Sequence, residues 1–89
     1  MTEMRRSMAP SRYALDPDHG YVGDPIYIKG LPSAEVDKIF FGETEAEIIR
    51  TDPTGVLCAA PPNDPGTVTV SMLRMSGERV DIGKFTYDD

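Results

Sequence analysis

Turn-forming residues cut this chain into short pieces, and that limits its possible folds more than any other feature. Eight Gly and eight Pro are spread over 89 residues. Both are costly inside a helix, so no long helix fits between these marks. The apolar residues between them recur at every second position, the period of a strand with one buried face. Ile26-Tyr27-Ile28-Lys29 alternates and stops at Gly30, and Ile39-Phe40-Phe41 stops at Gly42. Thr44-Glu45-Ala46-Glu47-Ile48 alternates before Asp52-Pro53, and Val56-Leu57-Cys58-Ala59 stops at Pro61-Pro62. Thr67-Val68-Thr69-Val70-Ser71-Met72 is the cleanest strand, Phe85-Thr86-Tyr87 the last, and Tyr13-Ala14-Leu15 the first. About seven short strands at this spacing predict an all-β, antiparallel sandwich. Ser76-Gly77 marks a hairpin between Arg74 and Arg79. Only residues 34–38 suit a helical turn, with Ser33 as its cap.

Alternation also assigns faces. Ile26, Ile28, Ile39, Phe41, Ala46, Ile48, Val56, Cys58, Val68, Val70, Met72, Phe85 and Tyr87 point inward on this reading. Tyr27, Lys29, Phe40, Leu57, Thr67, Thr69 and Ser71 point outward. Val80 and Ile82 are out of phase with Phe85 and Tyr87, which calls for a bulge at Gly83. A chain of this size can bury about 64% of its unfolded surface, enough for one thin core and no second domain. The expected organisation is a basic arm over residues 1–12 and one folded domain over 13–89.

The pieces occur in an order that resembles the IPT/TIG domain. They are Asp16-Pro17 with Gly20, Gly23 with Ile26, Ile28 and Gly30, and Ile39 with Phe41, Gly42 and Ala46. Then follow Val56 with Cys58 and Pro61-Pro62, Gly66 with Val68 and Val70, and finally Phe85 with Tyr87. One departure is Gly23-Asp24-Pro25, where the family often has Gly-Gly. Pro25 then belongs at the first position of its strand, where its missing N–H is tolerated. The resemblance implies an immunoglobulin-like β-sandwich, as found in plexins, transcription factors and bacterial and phage proteins. It also implies a binding or spacing module without shared catalytic residues.

Charge divides the chain. Residues 1–12 carry Arg5, Arg6 and Arg12 against Glu3, a net +2, whereas residues 13–89 carry a net −8. A body this acidic repels phosphate backbones and anionic bilayers, so neither nucleic acid nor membrane is an expected partner of the folded part. No apolar run is long enough to span a bilayer. A single cysteine, Cys58, allows no internal disulfide, and residues 1–12 lack the apolar stretch of a secretory signal. The expected setting is the cytoplasm, or a virion assembled within a cell.

Candidate chemistry is sparse. Asp16, Asp18 and Asp24 flank one loop and could offer oxygen to a cation, but Asp-Pro and Asp-x-Gly are also ordinary turn formers. His19 has no Cys, His or carboxylate in a matching pattern and reads as a solvated loop residue. Cys58, on an inward phase, reads as a small inert hydrophobe. No phosphate loop, nucleophile elbow or Cys-x-x-Cys pair is present, and neither catalysis nor a cofactor is expected. Glu43, Glu45 and Glu47 share one face of a strand, where charge guards an edge against sheet-to-sheet pairing or receives a basic partner. Tyr27 and Phe40 are large outward groups on opposite sheets. Together, Arg5, Arg6, Arg12, Tyr27, Phe40, Glu43, Glu45 and Glu47 are the candidate partner-binding residues.

The function expected from these features is a non-catalytic assembly module. It would be a structural or decoration protein of a larger particle such as a phage virion, docking by its arm on a capsid or tail protein or on copies of itself. The alternatives are an accessory domain of a transcription factor, which the acidic body disfavours, or of a polysaccharide-acting enzyme.

Overall fold

A computed structural model describes residues 13–89 of the chain. Arg5, Arg6 and Arg12 lie outside the described residues. Eight strands form: β1 (Ala14–Asp16), β2 (His19–Gly20), β3 (Pro25–Lys29), β4 (Val36–Phe41), β5 (Thr44–Asp52), β6 (Gly55–Ala59), β7 (Gly66–Arg74) and β8 (Arg79–Tyr87). Their order is β1-β3-β6-β5-β4-β7-β8-β2. The expected sandwich is present, with two differences. An eighth strand, β2, pairs parallel to β8 through His19–Thr86 and Gly20–Tyr87. Three strands, β5, β7 and β8, are nine residues long.

The chain changes sheets at two places outside the turns between long strands. The first part of β5 pairs with β4 through Thr44, Glu45 and Ala46, and the rest pairs with β6 from Glu47 to Asp52. On the other side the chain leaves β1, passes the cis Asp16–Pro17 bond, and enters β2 against β8. One layer is therefore β1-β3-β6 with the end of β5, and the other is the start of β5 with β4-β7-β8-β2.

The core fills the space between the layers. Ile26, Ile28, Val56 and Cys58 come from one layer, and Ile39, Phe41, Val70, Met72, Ile82, Phe85 and Tyr87 from the other. Of the expected inward set, Ile48 and Val68 are only partly buried and pack against this cluster. Leu31 adds to it from the connection after β3, where no alternation announces it. Phe85 sits at the centre of three rings in edge-to-face contact, 5.2 Å from Phe41 and 5.0 Å from Tyr87. Such pairs are favoured by the ring quadrupole over flat stacking.

The phase conflict in β8 is resolved by a bulge. Val70 faces Gly83 and Ser71 faces Asp81, so Ile82 is the extra residue, one position before the expected site. Ser71, expected outside, is 2% exposed. Its hydroxyl accepts a hydrogen bond from Arg79 Nε at 2.9 Å. Residues 33–35 form one 3-10 turn, and Pro32, not Ser33, stands at its start without a side-chain cap. The Ser76-Gly77 hairpin is present, closed by Gly77 N–H donating to Arg74 O at 2.8 Å, with Gly77 at φ 95°.

The strand directions sort the connections into two ends. One end gathers Tyr13, the β3–β4 connection, the β5–β6 turn and the β7–β8 hairpin. The other gathers the β2–β3, β4–β5 and β6–β7 connections and the C-terminus. There, Asn63 ties the β6–β7 connection to the layer of β4, β8 and the start of β5. Its Nδ2 donates to Phe41 O at 3.0 Å and to Tyr87 Oη at 3.2 Å, while its Oδ1 accepts from Thr44 Oγ1 at 3.2 Å. Tyr87 Oη in turn donates to Pro61 O at 2.5 Å. Burial pushes the Tyr87 hydroxyl up from its ordinary pKa, and the Asn63 bond opposes this.

Candidate binding surface

The end at which Tyr13 joins the fold carries an apolar concavity. It is a groove of about 550 Å³ lined by Tyr27, Lys29, Gly30, Leu31, Pro32, Pro53 and Thr54. Its wall is built by the turn between β5 and β6. Asp52-Pro53-Thr54-Gly55 has Asp, Pro and Gly where a type I turn favours them. Asp52 Oδ1 accepts from Thr54 N–H at 2.8 Å, Thr54 Oγ1 at 2.7 Å and Gly55 N–H at 2.9 Å. Tyr27 Oη also donates to this carboxylate, at 2.9 Å to Oδ1 and 3.0 Å to Oδ2. Led by the Thr54 hydroxyl, these donors hold the Asp52 carboxyl below its ordinary pKa. No basic side chain among the described residues forms an ion pair with it. Sequence reading singled out Tyr27 but missed Asp52 and Thr54. Their contact joins positions 25 and 27 residues apart.

Tyr27 is thus fixed by its hydroxyl, with its ring lining the groove. Phe40 lies on the other layer, as expected, and is covered by the Arg79 guanidinium 4.6 Å from its centroid. That stacking is worth about 0.5–1 kcal/mol at an exposed site. Arg79 Nη2 also donates to Gly42 O at 3.1 Å. The two aromatic candidates therefore belong to separate surfaces.

The three glutamates are not brought together as one patch. Glu43 is in the β4–β5 turn. Glu45 pairs across to Phe40 and lies 3.7 Å from Lys38 Nζ, whereas Glu47 pairs across to Ala59 on the opposite layer. Each part of β5 has a partner strand on one side only, so both glutamates do sit at a sheet margin.

The aspartates near β2 are also engaged separately. Asp16 lies 4.0 Å from Lys29 Nζ, and Asp24 Oδ2 accepts from Tyr21 N–H at 2.9 Å. Among the described residues no three Asp, Glu, His or Cys side chains converge as a metal site would require. His19 has the partner that sequence reading did not find: its Nδ1 lies 2.8 Å from Asp88 Oδ2. The pair is 69 positions apart and is brought together by the parallel β2–β8 pairing. The Asp88 hydrogen bond, its charge and then Asp18 raise the His19 pKa above its ordinary 6.5. The raised value means that the contact stabilises the fold below about pH 6.5 and is lost as pH rises through the folded-state pKa. An NMR titration of the imidazole is expected to give a pKa above 6.5 in the native chain, returning toward 6.5 in Asp88→Asn. Equal values in both would remove the pairing.

Cys58 is fully buried, as expected, and burial pushes its thiol up to about 12. Native protein is expected to resist thiol reagents at neutral pH, with labelling limited by global unfolding. Labelling at the rate of a free thiol in the absence of denaturant would contradict this.

Taken together, two packed layers with β1 in one and β2 in the other define an immunoglobulin-like β-sandwich. The IPT/TIG domain family model matches residues 10–87, and the chain belongs to that family. Members of the family serve mostly as binding or spacing modules. No curated protein matches the chain. Among solved structures it is similar to SGBP-B of the Bacteroides ovatus mixed-linkage glucan utilization locus, in complex with a mixed-linkage heptasaccharide. The TM-score is 0.65 at 12% identity, covering 89% of this chain and 22% of that one. At that identity the likeness is one of fold.

Proposed function

We propose that the chain is a non-catalytic assembly module that docks on a protein partner through its N-terminal segment. In its specific form it is a structural or decoration protein of a larger particle such as a phage virion, bound to a capsid or tail protein or to its own copies in the cytoplasm where the particle forms. The observation that carries the reading is the division of charge. A segment of net +2 joins a body of net −8 at the grooved end of the sandwich. Opposite charge on arm and body speeds and orients encounter with an acidic partner surface. The test is light scattering after size exclusion, on the full chain alone and with a candidate particle protein. Arg5→Glu/Arg6→Glu/Arg12→Glu is expected to weaken association at least tenfold, and parent binding is expected to fall with added salt. Equal association of parent and variant would overturn the reading.

A second reading, an accessory domain of a polysaccharide-acting enzyme, is favoured by the fold shared with a protein solved with a glucan heptasaccharide. Calorimetry of the full chain with a mixed-linkage oligosaccharide separates the two, since only the second expects heat of binding.

A further inference from the structure

The groove beside Tyr27 does not stand alone. It shares Gly30 and Pro32 with a hollow lined by Tyr13, Glu35, Met72 and Arg74, and that hollow shares Glu35 and Arg74 with a third beside Met75. Together they form a trough across the whole end of the sandwich, from the β5–β6 turn to the β7–β8 hairpin. The register of β1 on β3 places Ala14 opposite Lys29, so the chain enters from residues 1–12 at the middle of this trough. We propose that the trough is the seat of the chain's own residues 1–12, held there until a partner competes for them.

Three observations choose this occupant. The segment is tethered at the rim, which gives it a high effective concentration that a separate molecule must match. It carries Met1, Met4 and Met8, flexible apolar side chains suited to an irregular groove. Beside the groove, in the turn that supplies its lining residues Pro53 and Thr54, stands Asp52, a carboxylate without an ion pair among the described residues, and the segment supplies Arg5, Arg6 and Arg12. Of the other carboxylates at this end, Glu35 and Glu78 are already engaged by Arg74, and Asp37 lies on β4 outside the groove lining, while Lys29 pairs with Asp16. Asp52 is therefore the carboxylate next to the groove lining that an arginine of the segment would meet.

The inference uses the same segment as the assembly reading but does not require a partner. The test attaches a nitroxide to Ser7→Cys in the full chain, with buried Cys58 left native, and reads amide broadening at low concentration. Leu31, Thr54 and Met75 are expected to broaden at least threefold more than Glu47 and Thr67. Adding Arg5→Glu/Arg6→Glu is expected to abolish the difference while leaving the body's spectrum unchanged. Uniform broadening would overturn the proposal. So would broadening seen only between labelled chains and separate isotope-labelled chains, because that outcome gives the trough to a second copy. Failure here with arginine-dependent assembly intact removes the seat and keeps the assembly reading; the reverse result does the opposite.

Discussion

Phe85→Ala is expected to remove half or more of the stability of the domain. The ring is fully buried and bridges Phe41 and Tyr87 at 5.2 and 5.0 Å. Truncating such a residue costs about 3–5 kcal/mol, from lost transfer energy and from the cavity left between the layers. Two edge-to-face contacts of about 0.5–1.5 kcal/mol each vanish with it. A domain this small has a total stability on the order of 5–10 kcal/mol. Urea unfolding followed by tyrosine fluorescence reads the change. Phe85→Leu refills part of the space and is expected to lose about half as much. A loss below about 1 kcal/mol in Phe85→Ala would show that the three rings are not the centre of the core.

Gly55→Ala is expected to be nearly as damaging, although it adds a single methyl group. A Cβ there would lie 2.3 Å from Ile28 O and 2.9 Å from the Tyr27 ring. The first clash is with backbone, so β3 and β6 must separate where they pair Lys29 with Gly55. The second displaces Tyr27, whose hydroxyl is held by Asp52 and Thr54. A loss of about 3 kcal/mol is expected, within the range of overpacked sites. Gly77→Ala supplies the contrast. Its φ is 95° but nothing lies within 4 Å of the added methyl. Only the backbone conformation is penalised there, at about 1–2 kcal/mol. If the two variants lose equal stability in urea, the close approach at Gly55 is not real. Gly55→Ala also distorts the wall of the groove, so it is expected to alter the trough as well as the fold.

Local alternation carried most of the architecture. Ile26 and Ile28 face Cys58 and Val56 across β3–β6, as period-two reading requires. The clash of phase between Val80–Ile82 and Phe85–Tyr87 even announced the bulge, displaced by one residue to Ile82. Alternation failed where a long side chain reached across strands. Ser71 has the phase of an outward residue, yet it is buried and Arg79 reaches from β8 to hydrogen-bond its hydroxyl. Leu31 was missed because it follows Gly30 in a connection, where burial has no period.

The surface was less legible because its contacts are distant in sequence. Glu45 and Glu47 lie two positions apart and seem one patch, but β5 changes layers between them. No local signal marks that crossing. Tyr27 was visible as a large outward ring, whereas its bond to Asp52 depends on two strands meeting at the turn. His19 looked solitary until β2 laid it against Asp88.

The parallel seam between β2 and β8 also sets how the domain would bear a pull. Tyr13 stands at one extremity and the last residues at the other, so tension on them slides β2 and β8 past each other. The bonds from Thr86 N–H to Asp18 O at 3.0 Å and from Asp88 N–H to Gly20 O at 2.8 Å then strain together and must rupture together. A tug sideways would instead open them singly, like a zip. Stretched lengthwise, the domain would resist first by shear of this short seam.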